Sequence, residues 1–437
     1  SPPGPGFMIE LGILADDLTG GMMVASLLER EGIECPLVCS TSGLSAVNVS
    51  SAQAVVLARK IRLIEADSAA QEARQAVQAL KEIDCQRFYY KYCATFDSTD
   101  DGNIGPIAEA MMEEIGTART LFSPAFPEHT VTVFQGRMFL GSTPLGESFK
   151  QHDPVTPMTN SNLVEVLQPQ CKQKVGLISH AHLVRPGAVE KLTSREDSPG
   201  LYIVDSADDE DMARIAEFAL DWPLTTGADA LPVFLARALL ERMNQQPNRA
   251  RQTRTHLPAS PGHEVVIAGS CAGPTLRQIE HFENQYPVFR IDLLEASQNK
   301  DYLADVFAWM GSNLGREPIA IATSVDVPRL EEIQAILGRS GAAKLADGLL
   351  GEVARKAFEG GARRFVVAGG ETSGQVVKSL GIEQVEVSTF DELGGGYCHQ
   401  TGPERLSLVL KAGALGKPGF FSTALERMRE ANEREVD

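Results

Sequence analysis

Two adjacent carboxylates stand directly after the first strand pattern of the chain. The segment Met8–Ala15 has the composition of a buried strand, and Asp16 and Asp17 follow it. A helix pattern then covers Met22–Glu31. In an open α/β sheet, ligands bind at the carboxyl ends of the strands. One of the two aspartates is expected to cap the helix, which leaves the other available for binding or proton transfer.

Three polar loops in the first half of the chain also follow predicted strands. They are Lys60-Ile61-Arg62, the stretch from Lys91 to Asn103, and Ser123-Pro124-Ala125-Phe126-Pro127-Glu128. Because parallel strands bring their carboxyl ends to one edge of a sheet, we expect these loops to lie near the two aspartates. Cations at Lys60, Arg62 and Lys91 would suit a carboxylate substrate, although any one of them alone is more typical of a solvated surface charge.

A turn with three glycines follows a strand pattern in the second half of the chain. A strand pattern over 363–368 leads into Gly369-Gly370-Glu371-Thr372-Ser373-Gly374, and a helix pattern over 373–380 stops at Gly381. A turn of this kind presents unpaired N–H groups and the positive end of a helix dipole to an anion. It matches neither the Walker lysine loop nor G-x-G-x-x-G, so it predicts an anion site and not a particular reaction. A simple tight strand-to-helix connection is the alternative.

Two further glycine-bearing turns follow strand patterns in the same half. Gly269-Ser270-Cys271-Ala272-Gly273-Pro274-Thr275 comes after a strand at 264–268, and Lys411-Ala412-Gly413-Ala414-Leu415-Gly416 comes after Leu408-Val409-Leu410. Three such turns at one sheet edge predict a phosphate cradle better than any single turn does.

The elements that must position these residues alternate along the chain. Strands are predicted at 54–58, 87–91, 119–122, 175–179, 201–204, 288–292 and 318–323, and helices at 67–82, 104–116, 187–195, 208–220, 301–313, 328–337 and 341–360. A polar, proline-bearing segment at 244–263 interrupts the pattern. We therefore predict an α/β fold with two doubly wound, mostly parallel-sheet domains at 8–245 and 263–437 and a linker at 246–262. The active site is expected in the cleft between the domains.

Composition narrows the classes of partner. The net charge of −18 argues against nucleic acid or an anionic membrane as a partner. No apolar run approaches the roughly 18 residues that span a bilayer. Seven scattered cysteines without a C-x-x-C pair indicate a reduced, cytoplasmic protein whose natural start we expect at Met8. His180-x-His182 lacks a third ligand nearby, so we predict no protein-built metal site and leave homo-oligomerisation open.

These motifs together resemble a known family. The segments Ala15-Asp16-Asp17-Leu18-Thr19-Gly20, Lys91…Asp97-Ser98-Thr99…Gly102-Asn103 and Ser123-Pro124-Ala125-Phe126-Pro127-Glu128 are similar to the N-terminal domain of four-carbon acid sugar kinases. Gly269-Ser270-Cys271, the turn at 369–374 and Lys411…Gly413…Gly416 resemble that family's nucleotide-binding C-terminal domain. The resemblance runs from about residue 8 to 425, and the 3-oxo-tetronate kinase branch is nearer than the D-threonate and D-erythronate kinase branches.

The resemblance implies a reaction and a role for each motif. ATP, carrying Mg²⁺, would phosphorylate the terminal hydroxyl of a four-carbon sugar acid. Asp17, or Asp16 if Asp17 is the cap, would accept the hydroxyl proton. The remaining assignments fall into two groups: substrate contacts at Lys60, Arg62, Lys91, Asp97, Ser98, Thr99 and Asn103, and nucleotide contacts at Ser270, Gly369, Gly370, Glu371, Thr372, Ser373, Gly374 and Gly413. Glu371 could contact either the metal or the ribose.

The chain departs from the family pattern at a few positions. Met22-Met23 replaces a polar pair, Val131 stands where an arginine is usual, and Ala412 and Ala414 replace polar residues. These changes keep a second hypothesis open, a catalytically weakened relative that binds a sugar acid or nucleotide as a sensor. A third, weaker hypothesis is a dinucleotide-dependent oxidoreductase, which the absence of G-x-G-x-x-G disfavours.

Overall fold

The computed structural model describes residues 9–44, 49, 52–153, 156–249, 257–389, 395–400 and 404–434. The chain divides into two compact units, Ser1–Gln252 and Thr253–Asp437. Part of the predicted linker, residues 250–256, lies outside the described residues, as does Met8. The end of that predicted linker is packed onto the second unit, because Leu257, Ala259 and Ser260 are buried there.

The first unit alternates strands with helices. Its strands are β1 (Leu11–Ala15), β2 (Leu37–Val38), β3 (Ala54–Ala58), β4 (Arg87–Lys91), β5 (Thr120–Ser123), β6 (Val131–Phe134), β7 (Arg137–Leu140), β8 (Thr143–Pro144), β9 (Val175–Ile178), β10 (Leu201–Val204) and β11 (Leu224–Gly227). Its helices are α1 (Leu18–Arg30), α2 (Ala66–Glu82), α3 (Ile104–Ile115), α4 (Leu163–Leu167), α5 (His180–Val184), α6 (Ala188–Thr193), α7 (Asp209–Ala219) and α8 (Leu231–Arg242).

The main sheet of this unit is parallel throughout, with strand order β2-β3-β1-β4-β11-β5-β10-β9. Every residue of β1 and β3 is buried, as expected for strands covered by helices on both faces. The order reverses at β1, because the chain moves to β3 on one side and later to β4 on the other. A crevice opens at such a switch point, outside the carboxyl ends of the strands.

The second unit repeats the architecture. Its strands are β12 (His263–Ala268), β13 (Val288–Arg290), β14 (Ile319–Ala322), β15 (Ala362–Ala368), β16 (Gln384–Val387), β17 (Gly395–Gln400) and β18 (Leu406–Lys411). Its helices are α9 (Gly273–Glu283), α10 (Leu293–Gln298), α11 (Tyr302–Asn313), α12 (Val327–Leu337), α13 (Arg339–Glu359), α14 (Gly370–Ser379) and α15 (Phe420–Arg434).

The sheet of the second unit runs β13-β14-β12-β15-β18-β17-β16, and only β17 is antiparallel to its neighbours. Its switch point lies between β12 and β15. Their carboxyl ends carry the turns at 269–273 and 369–370, so the two glycine-rich turns are neighbours in space. The prediction of two α/β domains with mostly parallel sheets is confirmed.

The sequence patterns missed part of the first unit. The strands β6, β7 and β8 form a small antiparallel sheet that was not predicted. The four-residue strand β11 was also missed, although it lies between β4 and β5 in the main sheet. Among the described residues, no helix is long and apolar enough to cross a membrane.

Candidate active site

The carboxylate of Asp16 forms a bidentate ion pair with Arg62. Asp16 ends β1 and is 1% exposed. The Nη2 and Nε groups of Arg62 donate to its two oxygens at 2.7 and 3.1 Å. The loop after β3 is also held to Asp16 by its backbone, because the N–H groups of Ile61 and Arg62 donate to the Asp16 carbonyl. The two loops that flank the switch point are therefore fixed to each other.

Asp17 is the N-cap of α1. Its Oδ1 accepts a hydrogen bond from the Gly20 N–H at 2.9 Å. Its Oδ2 accepts from the Thr19 hydroxyl at 3.2 Å and lies 3.3 Å from Nη1 of Arg62. The Asp17 side chain is 25% exposed, whereas that of Asp16 is 1% exposed. Asp17 is therefore the carboxylate of the pair that a ligand can reach.

The environment moves the pKa values of the two carboxyl groups apart. Burial raises the pKa of Asp16, and the opposing charge of Arg62 does not cancel that effect. Burial also acts to raise the pKa of Asp17, but Arg62, Lys91 and the Gly20 N–H together lower it below its usual value. Asp17 is therefore the more firmly ionised of the two. Carboxyl pairs whose pKa values are shifted in opposite directions are common at active sites.

Lys91 is buried beneath the start of α1. Its Nζ donates to the Tyr92 carbonyl at 2.6 Å and lies 3.6 Å from a carboxylate oxygen of Asp229, which follows β11. A Cβ added to Gly20 would lie 2.5 Å from Oδ1 of Asp17 and 2.9 Å from Nζ of Lys91. Only glycine allows the helix to approach this closely, so the Thr-Gly pair of the motif has a packing reason.

Asn103 holds the loop that follows β3. Its Nδ2 is within hydrogen-bonding distance of the carbonyls of Ile61, Arg62 and Ile64, at 2.7 to 3.1 Å. Its Oδ1 is buried and has no hydrogen-bond partner among the described residues. The amide nitrogen of Asn103 thus positions Arg62, and only the oxygen is left for a ligand.

Asp97 contacts a lysine that the sequence did not single out. Lys150 is 7% exposed, and its Nζ donates to Asp97 and Asp153 at 3.0 Å each. Burial acts to lower the pKa of Lys150, but the two carboxylates raise it above its usual value. The other oxygen of Asp97 accepts from the Thr95 hydroxyl at 2.7 Å. Each oxygen of the Asp97 carboxylate therefore has a donor from the protein, as does each oxygen of Asp17.

The remaining predicted substrate residues occupy different environments. Ser98 is buried, and its hydroxyl has no partner among the described residues. Thr99 lines an open pocket together with Ser98, Asp100, Asp101, Met158 and Asn160. Lys60 is exposed at the carboxyl end of β3. The predicted cations thus divide into one exposed lysine, one half-buried arginine and one buried lysine.

The Ser-Pro-Ala-Phe-Pro-Glu loop makes a separate contact. Both oxygens of Glu128 accept from Arg30 on α1 at 3.1 Å, in an exposed bidentate pair. Val131 is buried at the start of β6, where it forms a bridge with Phe126. Because valine has no polar side-chain atom, Val131 makes hydrogen bonds only through its backbone N–H and carbonyl groups.

In the second unit, three turns are packed tightly together. Gly369 has a φ of +121°, and a Cβ there would lie 3.0 Å from the Thr372 hydroxyl and 3.1 Å from the Ser270 nitrogen. A Cβ on Gly413 would overlap Oγ of Ser270. The Gly369 N–H donates to the Lys411 carbonyl at 2.8 Å, and the Ser270 N–H donates to the Ala368 carbonyl at 3.3 Å. Backbone approaches of this kind leave room for a phosphate only if no side chain is added.

The helix α14 begins at this cluster. Thr372 and Ser373 are buried, and the Ser373 hydroxyl donates back to the Gly369 carbonyl at 2.7 Å. Gly370 and Glu371 are exposed in the first turn. A Cβ on Gly374 would meet nothing within 4 Å. The exposed N-terminus of α14 is therefore a site where an anion would be stabilised by N–H groups and the helix dipole.

Lys411 lies under the third turn and is 0% exposed. Its Nζ lies within hydrogen-bonding distance of the carbonyls of Ala412, Gly413 and Leu415, at 2.8 to 3.1 Å, and of the Thr275 hydroxyl, at 3.2 Å. Burial lowers its pKa to about 8, so the group is mostly charged at neutral pH.

Three charged residues of these sites were not among the predicted site residues. Asp229 follows β11, a strand that the patterns missed, and Lys150 lies in a short 3-10 turn at Phe149–His152. Lys411 was part of a recognised motif, and its position at the end of a buried strand was the available signal. The described residues contain no group of three or more His, Cys, Asp and Glu side chains that could hold a metal ion.

Two different family models match the two units of the chain. A family model for a sugar-binding N-terminal domain matches residues 11–235. A model for a nucleotide-binding C-terminal domain matches residues 265–421. The first range contains the aspartate pair and its cations, and the second contains the three glycine-bearing turns. The fold and sites thus define a two-domain protein of the sugar-binding and nucleotide-binding class.

Full-length relatives are more specific. The 3-oxo-tetronate kinase of Pseudomonas fluorescens is 36% identical, over 96% of this chain and 97% of the relative. That of Cupriavidus necator is 36% identical, over 96% of this chain and 97% of the relative. That of Haemophilus influenzae is 32% identical, over 95% of this chain and 98% of the relative. Two crystal structures are each 30% identical to this chain and match 95% of it. The protein from Haemophilus influenzae has a TM-score of 0.74, with 100% of its chain matched. The protein from Salmonella typhimurium LT2 has a TM-score of 0.79, with 99% of its chain matched.

The chain therefore belongs to the four-carbon acid sugar kinase family, as the motif resemblance predicted. It is an enzyme, a kinase of the sugar-acid class with a nucleotide-binding domain. The comparisons favour neither the sensor nor the oxidoreductase.

Proposed function

We propose that this kinase transfers the γ-phosphoryl group of ATP to the terminal hydroxyl of a four-carbon sugar acid, and that 3-oxo-tetronate is its first candidate substrate. The observation that carries the proposal is the reachable, ionised carboxylate of Asp17, which lies between Arg62 and the α1 N-terminus at the switch point of the first sheet. The names of the relatives support the choice of acid. D-Threonate and D-erythronate are the next acids to test.

Asp17 is the group proposed to accept the proton of the attacking hydroxyl. The sequence left the cap and the base as alternative roles, but a carboxylate has two oxygens. Oδ1 caps α1, and Oδ2 remains beside Arg62 and Thr19 for the substrate. Asp16 is enclosed by Arg62, so its proposed role is to fix the guanidinium that orients Asp17. A positioned base of this kind contributes about 10²- to 10⁴-fold to a rate.

The acid's carboxylate is assigned to the cations at the same sheet edge. Lys60 is the exposed member of the predicted set, and Arg62 and Lys91 supply positive charge from beneath. The side-chain oxygens of Ser98 and Asn103 are buried and have no hydrogen-bond partner among the described residues. Because buried polar atoms are normally hydrogen-bonded, these oxygens support a ligand-binding role for the loop between Lys91 and Asn103. With Thr99 at the neighbouring pocket, they would bind hydroxyl groups, and Asp97 would act by holding Lys150.

The nucleotide phosphates are assigned to the second unit. Backbone N–H groups of the turns at 269–273, 369–374 and 412–416 would bind them, because glycine lets all three turns come close. Mg²⁺, which the described residues do not cage, would enter with ATP and neutralise phosphate charge. Glu371 is the exposed acid nearest this helix start and is the first candidate for an outer contact to metal or ribose.

The proposal is tested by assaying ADP release. The protein is incubated with ATP, Mg²⁺ and, in separate reactions, 3-oxo-tetronate, D-threonate and D-erythronate. We expect ADP release that depends on the acid and is fastest with 3-oxo-tetronate. Measurable ATP binding without ADP release in the presence of any of the three acids would favour the sensor and refute the proposal.

A further inference from the structure

The loop over Lys411 has an unusual hydrogen-bonding arrangement. Three of its carbonyls, those of Ala412, Gly413 and Leu415, converge on one buried ammonium group. The loop itself is partly exposed, whereas Lys411 beneath it is fully buried. A lysine in this position cannot contact a ligand directly, but it can fix the orientation of the peptide groups that do.

Peptide geometry determines where the N–H groups of this loop point. The described residues contain no cis peptide bond. In a planar trans peptide, the N–H points opposite to the carbonyl of the same peptide group. Because the carbonyls of 412, 413 and 415 face Lys411, the N–H groups of Gly413, Ala414 and Gly416 point away from it. Among the described residues, none of these N–H groups donates a hydrogen bond to the protein.

Neighbouring side chains hold the same loop from α9. The Thr275 hydroxyl is 2.8 Å from the Gly413 carbonyl, and Nε2 of Gln278 donates to the Leu415 carbonyl at 3.0 Å. Both residues are fully buried. The close packing of Gly413 on Ser270 connects the loop to the turn after β12. The orientation of the loop is thus fixed by several buried contacts that meet at Lys411.

We propose that Lys411 is the positioning residue of the nucleotide site, which turns the N–H groups of the 412–416 loop toward the nucleotide phosphates. The inference rests on the proposed function, since it assigns the phosphates to this loop. Lys411 contacts carbonyl and hydroxyl oxygens of the protein, and it acts on the nucleotide through the loop.

Lys411→Met tests the inference, because methionine keeps the unbranched apolar body of the side chain but removes the donors. Calorimetry at neutral pH would compare ADP with adenosine, each in the presence of Mg²⁺. We expect the Kd for ADP to rise about tenfold or more, as for loss of charge-assisted hydrogen bonds, and the Kd for adenosine to change less than about twofold. Lys344→Met, at an exposed position on α13, is the matched control and should leave both values unchanged.

The possible outcomes separate the inference from the function on which it rests. Unchanged ADP binding by Lys411→Met would overturn the inference and leave the proposed function standing. Equal losses for ADP and adenosine would also overturn it, since they indicate general damage to the domain. Absence of ADP binding by the unaltered protein would refute both. If Lys411→Met does not fold, Thr275→Val decides, with an expected two- to tenfold loss (about one hydrogen bond) for ADP alone.

Discussion

The guanidinium of Arg62 and the carboxylate of Asp16, 46 residues apart in sequence, form a bidentate ion pair at the proposed sugar-acid site. The pair connects the carboxyl ends of neighbouring strands β1 and β3. It also places Nη1 of Arg62 at 3.3 Å from Asp17. The reachable carboxylate is therefore positioned through a second, enclosed one.

Replacing Arg62 with lysine should destabilise the protein. Lysine keeps the charge but cannot make two parallel hydrogen bonds, so Asp16 would remain buried with an incomplete partner. We expect a loss of about 1–3 kcal/mol in the free energy of unfolding, measured by urea denaturation. Arg30→Lys is the matched control, because it alters an exposed bidentate pair with Glu128 and should cost less than about 1 kcal/mol. Equal losses in both variants would contradict the role of burial.

Asp17→Asn should remove the base and keep the cap. Asparagine accepts the Gly20 hydrogen bond as well as aspartate does, but it cannot take up a proton. We expect kcat to fall about 10²- to 10⁴-fold with little change in KM, whereas Asp197→Asn at an exposed position should be neutral. If kcat survives in Asp17→Asn and falls only in Asp16→Asn, the roles of the two carboxylates are exchanged.

The pH dependence of the same step follows from the lowered pKa of Asp17. A base whose pKa lies below its usual value stays ionised as the solution becomes mildly acidic. We therefore expect no loss of kcat/KM between about pH 7 and pH 5 from protonation of Asp17. A fall of kcat/KM between about pH 7 and pH 5 would contradict this expectation if it disappears in Asp17→Asn but persists in the control Lys60→Met. Such a result would show that the pKa of Asp17 is raised.

Gly413→Ala should weaken nucleotide binding at least tenfold. The added Cβ would overlap the Ser270 side chain at the centre of the three turns, so one of them must move. Gly348→Ala is the control, because a Cβ there meets nothing within 4 Å. We expect calorimetry to detect ADP binding in the control and at least tenfold weaker binding in Gly413→Ala. Equal ADP affinity in the two variants would remove Gly413 from the cradle.

Deprotonation of Lys411 should raise the stability of the nucleotide-free protein and lower its affinity for ADP. Its neighbours are the Thr275 hydroxyl of α9 and carbonyls of its own loop, and no charged side chain contributes to its shifted pKa among the described residues. The folded-state pKa of about 8 lies below the usual 10.5, so the unfolded chain holds this proton more tightly. The free energy of unfolding without nucleotide should therefore rise between about pH 8 and 10.5.

ADP affinity should instead fall as the pH rises through about 8, because Lys411 loses a positive charge and a donor beneath the phosphate loop. Urea denaturation and calorimetry over this range measure the two trends. Both contributions should be missing from Lys411→Met. An identical pH dependence in that variant would assign the titration to another group.

The sequence predicted the positions in the fold of those candidate site residues that follow strong patterns. Asp16, Asp17 and the turn at 369–374 stand directly after apolar strands, and strand ends define the ligand edge of a parallel sheet. The same logic placed Lys60 and Arg62 after β3. These positions depend on local patterns, so the chain order alone was sufficient.

The partners of these residues depend on tertiary packing, which no local pattern encodes. Arg62 was expected to face a carboxylate substrate, but in the fold its guanidinium forms an ion pair with Asp16. Asn103 was expected to contact the substrate, but its amide nitrogen lies near three backbone carbonyls of a distant loop, and only its oxygen is left for that contact. Lys150 and Asp229 were missed because the first lies in a short turn and the second follows a four-residue strand.

The most direct test of the central claim is phosphorus-31 NMR of the product formed from ATP and 3-oxo-tetronate. Transfer to the terminal hydroxyl predicts a phosphomonoester signal that couples to the two protons of the terminal carbon, together with one ADP for each acid consumed. Formation of inorganic phosphate alone, or of an acyl phosphate without that coupling, would contradict the account.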